Sequence, residues 1–299
     1  MLNQEKVNAA SAGYRAVFNE RLNSADTVAR KIALAVPSKN SSETWTWLEN
    51  LAEMKELIGE AEVSNIAAQS YTIPNKEFVA TVEVPQAVIE RDALGMYKPV
   101  IEELADEANY LDDKRVASLL LGGFSQTGYD GKAFFATNHK YAGSEKQWSN
   151  KLTAKLSVES FEKARAMIKT IKKANGSPFG NGRKLVLVCS AKNESLARQI
   201  LNAETIGGTA NVNKGTAELI VWNEIDVINE DAWFIIETGK AFKPVVIQEE
   251  VKTTLNVCDK LDDSYVIDHH KFKYQAYKRA GYGYGLPQLA VGSDGSKAA

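Results

Sequence analysis

Three histidines are all the chain offers for imidazole chemistry, and two of them follow an aspartate in YVIDHHKF as Asp268, His269 and His270. An Asp-His-His triplet occurs in some metal-dependent phosphoesterases, where carboxylates and imidazoles hold the ions that activate water. Such a shell needs several more aspartates and histidines, and only one other histidine exists. The segment reads instead as polar residues at the start of a half-exposed strand, where alternation turns His269 and His270 to opposite sides. The remaining histidine, His139, closes YDGKAFFATNH together with Asp130 and Lys132. This stretch is either an active-site loop or a turn that carries polar residues.

Other chemistry is thinner still. GYGYG, residues 281–285, resembles a nucleotide-binding glycine run but leads into Leu286-Pro287 and a strand, not a helix, so it reads as a glycine-rich bend. IGGTANVNKGT lacks the spacing of a phosphate-cradling loop and reads as a mobile segment. No GxSxG turn organises a nucleophile. Glu102, Glu103, Asp106 and Glu107 form a solvated helix face before they form a catalytic pair. Cys189 and Cys258 sit far apart among strand residues and read as buried thiols of a reducing compartment. The residues therefore assign no catalytic group, no metal ligand and no cofactor.

The 299 residues carry 36 basic and 38 acidic side chains, for a net charge of −2. Without a basic surface to displace counterions, tight nucleic-acid binding is excluded as the main business of the chain. No run approaches eighteen apolar residues and the first residues lack a secretory layout, so no membrane span and no export are expected.

The elements that would position any site are more informative. Residues 8–36 are compatible with helix, Tyr14, Val17, Phe18 and Leu22 forming a thin apolar stripe. TWTWLENLAEMKELIG follows, anchored by Trp45, Trp47 and Leu48. Residues 58–80 alternate loosely and read as a two-stranded excursion turning at Pro74-Asn75; its faces are only half apolar, so it needs a neighbouring molecule to cover it. FVATVEVP is a strand. Tyr97, Ile101, Leu104, Ala108 and Leu111 then mark a long amphipathic helix over 97–121, opened by Pro99 and stopped at Gly122-Gly123. From about 150 to 238, a helix, the buried strand KLVLVCS, a second helix, a glycine-rich loop and two strands make an α/β unit. In HKFKYQAYKRA, Phe272, Tyr274 and Ala276 share the covered face of a strand.

Several of these blocks occur in a recognisable order. Asp92, Leu94, Gly95, Tyr97 and Pro99 open the long helix, Gly123 and Phe124 end it, and Tyr129, Asp130, Gly131, Phe134 and Phe135 follow. With TWTWLENLAEMKELIGE before them and AFKPVVIQEE after, this order resembles the major head subunit of Mu-like bacteriophages. The resemblance covers about two-thirds of the chain, most specifically residues 71–139.

What it implies is an α+β protein of the Hong Kong 97 phage-type capsid fold, with a spine helix, a β-rich peripheral domain, an inserted α/β axial domain and an extended loop. The implied division is an N-terminal arm (1–50), the extended loop (51–80), the peripheral domain (81–149), the axial domain (150–238) and a return to the peripheral domain (239–299). The implied function is a structural subunit that self-assembles into an icosahedral shell around phage DNA. Its partners would be further copies of itself in hexamers and pentamers, with a separate scaffold or protease, a portal and a decoration protein. It would be assembled in the bacterial host cytoplasm and remain in the virion. Glu60, Ser64, Gln69, Tyr71, Pro74, Lys76 and Glu77 are the expected intersubunit residues of the loop. YDGKAFFATNH becomes the turn and strand after the spine, reversed at Asp130-Gly131 and anchored to the peripheral domain by Phe134-Phe135, with His139 incidental. The alternatives are an encapsulin-like compartment and a metal-dependent hydrolase built on Asp268, His269 and His270.

Overall fold

The computed structural model describes residues 2–45, 70–91, 93–141, 145–173, 176–180 and 182–297. Trp47, Leu48, Glu60, Ser64, Gln69 and Asp92 lie outside them.

Helix α1 spans Gln4–Ser24, with the Asn3 side chain accepting from the N–H of Lys6 at its start. The expected continuation to Val36 does not occur. After a break come only the short α2 (Ala29–Ile32) and then strand β1 (Ala33–Pro37), because ALAVP is bound in parallel register to Val245–Glu249. The first N–H groups of that turn are accepted by Asp113 on the long helix, Ala29 at 2.7 Å.

Strands β2 (Ser42–Trp45) and β3 (Tyr71–Pro74) pair antiparallel as a ribbon, and β4 (Lys76–Pro85) follows at once. Short α3 (Gln86–Glu90) leads to the spine, α4 (Lys98–Gly122), whose 25 residues make a rod about 37 Å long. Its buried stripe is Ile101, Leu104, Ala105, Asp112, Val116, Ala117, Leu120 and Leu121. Tyr97, Ala108 and Leu111 of the expected stripe flank it, half-buried. The helix stops where a side chain no longer fits: a Cβ on Gly123 would stand 2.9 Å from the Phe135 ring.

The next segments are the small β5 (His139–Lys140) and β6 (Gln147–Trp148) pair, β7 (Lys151–Ala154) and α5 (Val158–Thr170), the helix opened by a Ser157–Ser160 capping box. Then come β8 (Leu185–Cys189), α6 (Glu194–Asn202), the minimal pair β9 (Thr205–Ile206) and β10 (Thr209–Ala210), β11 (Glu218–Val221), α7 (Asn223–Asn229) and β12 (Trp233–Glu237). The chain ends with β13 (Val245–Cys258), α8 (Ser264–His269), β14 (Lys271–Tyr284) and β15 (Ala290–Lys297).

Two sheets organise these elements. The peripheral sheet runs β1-β13-β14-β4, and its two central strands of 14 residues each extend about 48 Å. The axial sheet runs β11-β8-β12-β15-β7. The last strand was expected to return to the peripheral set with the rest of 239–299. It lies instead between β12 and β7, because Ala290, Val291, Gly292 and Ser293 are buried within the axial sheet. The chain therefore passes between the two sheets three times, after the spine, after β12 and after β14.

The cores follow this division. Val7, Tyr14 and Phe18 of α1 meet Ile101, Leu104 and Ala105 of the spine and Phe272, Tyr274 and Ala276 of β14. A second core packs Phe161, Ala164 and Ile168 of α5 and Ile200 of α6 on Leu187, Trp233, Ile235 and Val291. A third joins the units: Val116, Ala117 and Leu120 of the spine meet Val186, Phe234 and Ile236 of the axial sheet and Val245, Ile247 and Tyr284 of the peripheral one. Here Phe134 stacks on Tyr284 at 4.6 Å and Phe135 lies 5.5 Å from Phe234. The pair thus anchors the turn to both units, not to the peripheral one alone.

Candidate assembly surface at the ribbon root

The β2–β3 ribbon flanks residues 46–69 in sequence, and glycines decide how it sits. Along β14, Tyr282 and Tyr284 turn towards the spine, where their hydroxyls donate to Asp112 (2.6 Å) and to the Leu119 carbonyl (2.8 Å). Gly281 and Gly283 turn the other way and leave a slot. A Cβ on Gly283 would come within 2.5 Å of Ile73 Cδ1, and one on Gly281 within 2.6 Å of Asn75 Oδ1 and 2.9 Å of the Pro74 carbonyl. GYGYG is therefore not a bend but strand with alternate side chains removed, so that a second layer can lie on it.

A buried glutamine locks that layer. Gln248 is fully buried; its Nε2 donates to the Ile73 carbonyl at 3.1 Å and to Asn75 Oδ1 at 3.2 Å, and its Oε1 accepts from the Trp45 indole N–H at 2.6 Å. Asn75 then donates to Ser38 Oγ (2.8 Å) and the Asn40 carbonyl (2.7 Å). Glu43 gathers the turn before the ribbon. Hydrogen bonds from the Lys39 N–H, Ser38 and Asn40 hold its carboxyl below the usual range. Thr44 and Thr72 share a cross-strand hydroxyl bond of 3.0 Å.

Beneath the ribbon the sheet is pinned to the spine by a buried ion cluster. Lys278 Nζ lies 2.5 Å from Asp112 Oδ1, and both side chains are buried. Arg30 bridges from α2 to Glu249 at 2.6 Å and to Asp112 at 3.4 Å. Low dielectric makes such a cluster stiff when complete and costly when one member is lost.

The residues expected to make intersubunit contacts divide. Glu60, Ser64 and Gln69 fall outside the described residues. Tyr71 is half-buried, its hydroxyl 3.5 Å from the Tyr284 N–H, and so belongs to the root. Pro74 ends the ribbon opposite Ser42. Lys76 and Glu77 are in the peripheral sheet, paired with Ala280 and Arg279, and Glu77 bonds the Arg279 guanidinium at 2.9 Å. The 58–80 hairpin is thus corrected. Tyr71–Pro74 pairs with Ser42–Trp45, and Pro74-Asn75 is the step from ribbon to sheet. What sequence reasoning missed was Gln248, Gly281, Gly283, Asp112 and Lys278. Glycine at period two within a strand pattern was the available signal, as was a lysine on the face shared by Phe272, Tyr274 and Ala276.

The chemical candidates resolve otherwise. Asp268 and His269 end α8 and His270 caps it in the left-handed region (φ 53°), so the segment is a helix terminus, not a strand. All three are exposed, and the His269 ring stacks on Tyr265 at 4.2 Å. Among the described residues, no group of three or more His, Cys, Asp or Glu is placed to hold a metal ion. No described helix is long and apolar enough to cross a membrane. Cys189 is buried, and desolvation pushes its thiol up to about 12; Cys258 is only half-buried. His139 is not incidental: it is fully buried between Asp130 and Asn150.

Residues 7–155, 147–225 and 222–298 match the family described as Mu-like prophage major head subunit gpT. The chain belongs to this family. It is 25% identical to the major capsid protein of Escherichia phage Mu over 97% of its own length and 73% of that protein's. It is equally similar, at 25%, to the Mu-like prophage FluMu major head subunit of Haemophilus influenzae, over 95% of this chain and 71% of the other. Among solved structures, the procapsid of bacteriophage JBD30 superposes with a TM-score of 0.64 at 24% identity, covering 98% of this chain and 76% of that one. The fold is the Hong Kong 97 phage-type capsid fold, and the chain is a phage head structural protein.

Proposed function

We propose that this head subunit closes a shell by repeated contacts of unlike surfaces, with the segment carried on the β2–β3 ribbon laid over the next copy. The observation that carries this is the root itself. A two-stranded ribbon of four residues per arm does not stabilise itself in water, yet here its base is fixed by a buried glutamine, two glycine slots and a tryptophan hydrogen bond. Fixing the base sets the direction in which the ribbon's open end, Trp45 opposite Tyr71, points. A repeated heterologous contact with a fixed direction closes into rings such as hexamers and pentamers, and many weak contacts per copy give a stable shell.

The role is structural, without a catalytic step of its own. The balanced charge suits a wall that encloses DNA without gripping it. Scaffold or protease, portal and decoration functions belong on separate chains, and assembly takes place in the bacterial host cytoplasm. The domain division keeps its order, with the extended loop rooted at Ser42–Pro74 and the last strand moved to the axial domain. The exposed, helix-terminal Asp268, His269 and His270 favour no hydrolase reading, and nothing in the root favours an encapsulin-like compartment.

The test replaces residues 46–70 with a short Gly-Ser turn joining Trp45 to Tyr71, which face each other across the ribbon. The expected result is a folded chain with an unchanged melting profile that forms no shells. Ordered particles from that variant would overturn the proposal.

A further inference from the structure

Where the chain crosses from the spine to the axial sheet, it passes a buried polar cluster. Asn150 is completely buried, and its Nδ2 donates to the carbonyls of Phe134 (2.9 Å) and Pro287 (3.1 Å). Two carbonyl acceptors fix that end of the amide as the NH2 group. Its Oδ1 therefore faces the Ala136 N–H at 2.9 Å and His139 Nε2 at 3.1 Å. An amide oxygen only accepts, so Nε2 carries a proton.

On the other side of the ring, Nδ1 lies 2.6 Å from Asp130 Oδ2. Asp130 Oδ1 also accepts the Lys132 N–H at 3.1 Å, and a carboxyl, whose ordinary value is near 3.9, is ionised at neutral pH. An ionised carboxylate also only accepts. Both ring nitrogens must then donate, and we infer that His139 is held as the imidazolium cation, a buried proton that pins the joint between the peripheral and axial units.

The surroundings fit a cation. Trp148 of β6 stacks on the ring at 4.4 Å, with Tyr141 6.3 Å beyond it. Lys140, the next residue on β5, is turned to solvent and paired with Glu145. From the 287–289 turn, Gln288 donates to the Tyr129 hydroxyl. The clamp thus ties the Thr127–Ala133 turn, the start of β7 and the approach to β15 through one side chain. Removing the proton turns a lone pair towards either Asp130 or Asn150 and breaks one bond, so the joint is complete only with the ring doubly protonated.

The experiment uses the full chain carrying His269→Gln and His270→Asn, asparagine being suited to the left-handed cap. His139 is then the sole histidine, and ¹⁵N-histidine NMR at pH 7.5 reads its ring directly, whether or not the chain assembles. The expected spectrum has directly bonded protons on both ring nitrogens. One unprotonated ring nitrogen at pH 7.5 would overturn the inference.

Discussion

Gly283→Ala is the smallest change that tests how the ribbon is seated. The added methyl would stand 2.5 Å from Ile73 Cδ1, 2.6 Å from Ile73 Cγ1 and 3.2 Å from the Tyr71 ring, against a side chain only 1% exposed. Contacts under 3 Å force Ile73 out of place, and overpacking of this kind costs about 1–3 kcal/mol. Ile73→Ala removes both clashing atoms, and alone it costs about 2–5 kcal/mol for the cavity it leaves. With about 2 kcal/mol for the first change and about 3 for the second, additivity gives about 5 for the pair. The alanine methyl would instead occupy part of the space left by isoleucine, so the double variant should cost about 3, a coupling of about 2 kcal/mol. Denaturant unfolding of the four proteins measures the cycle, and hydrogen exchange at Tyr71–Pro74 shows whether the loss is local to the ribbon. Strict additivity, or a Gly283→Ala protein as stable as the parent with unchanged exchange, would refute the seating argument.

Three further outcomes are expected. Asp112→Ala leaves buried Lys278 with only Glu249, 3.8 Å away, and should cost about 3 kcal/mol in denaturant unfolding, whereas Asp112→Leu with Lys278→Met should recover most of that loss. Asp130, whose folded carboxyl lies below its unfolded value near 3.9, contributes stability that is present above pH 4 and lost as pH falls through the folded value; Asp130→Asn should flatten the acid side of the melting profile. Cys189, buried and with its thiol pushed up to about 12, should resist iodoacetamide at pH 8 until the chain is unfolded, as mass spectrometry of the labelled peptide would show.

The spine was legible because Pro99, a periodic stripe and Gly122-Gly123 agree on one long helix; Lys98–Gly122 differs from the expected span by a residue at each end. The Asp130-Gly131 reversal was legible from local turn chemistry, and Gly131 takes the left-handed conformation such a turn requires. The break after Ser24 was not, because ALAVP becomes a strand only by pairing with Val245–Glu249, far away in sequence. The same holds for Ala290–Lys297, whose apolar content fits either sheet until its neighbours are known. At the root, the glycines of GYGYG were visible but their use was not: a slot has meaning only once β3 lies in it. Gln248 and the Asp112–Lys278 pair were illegible for a related reason, since a buried polar group is explained by partners that periodicity does not name.

The most direct test of the account is electron microscopy of the purified chain, paired with sedimentation at several concentrations. Closed shells, tubes, or five- and six-membered rings, with the Ser42–Trp45 and Tyr71–Pro74 ribbon at the contact between neighbouring copies, are the predicted result. Particles in which that ribbon faces solvent, or a compact monomer at every concentration, would contradict it.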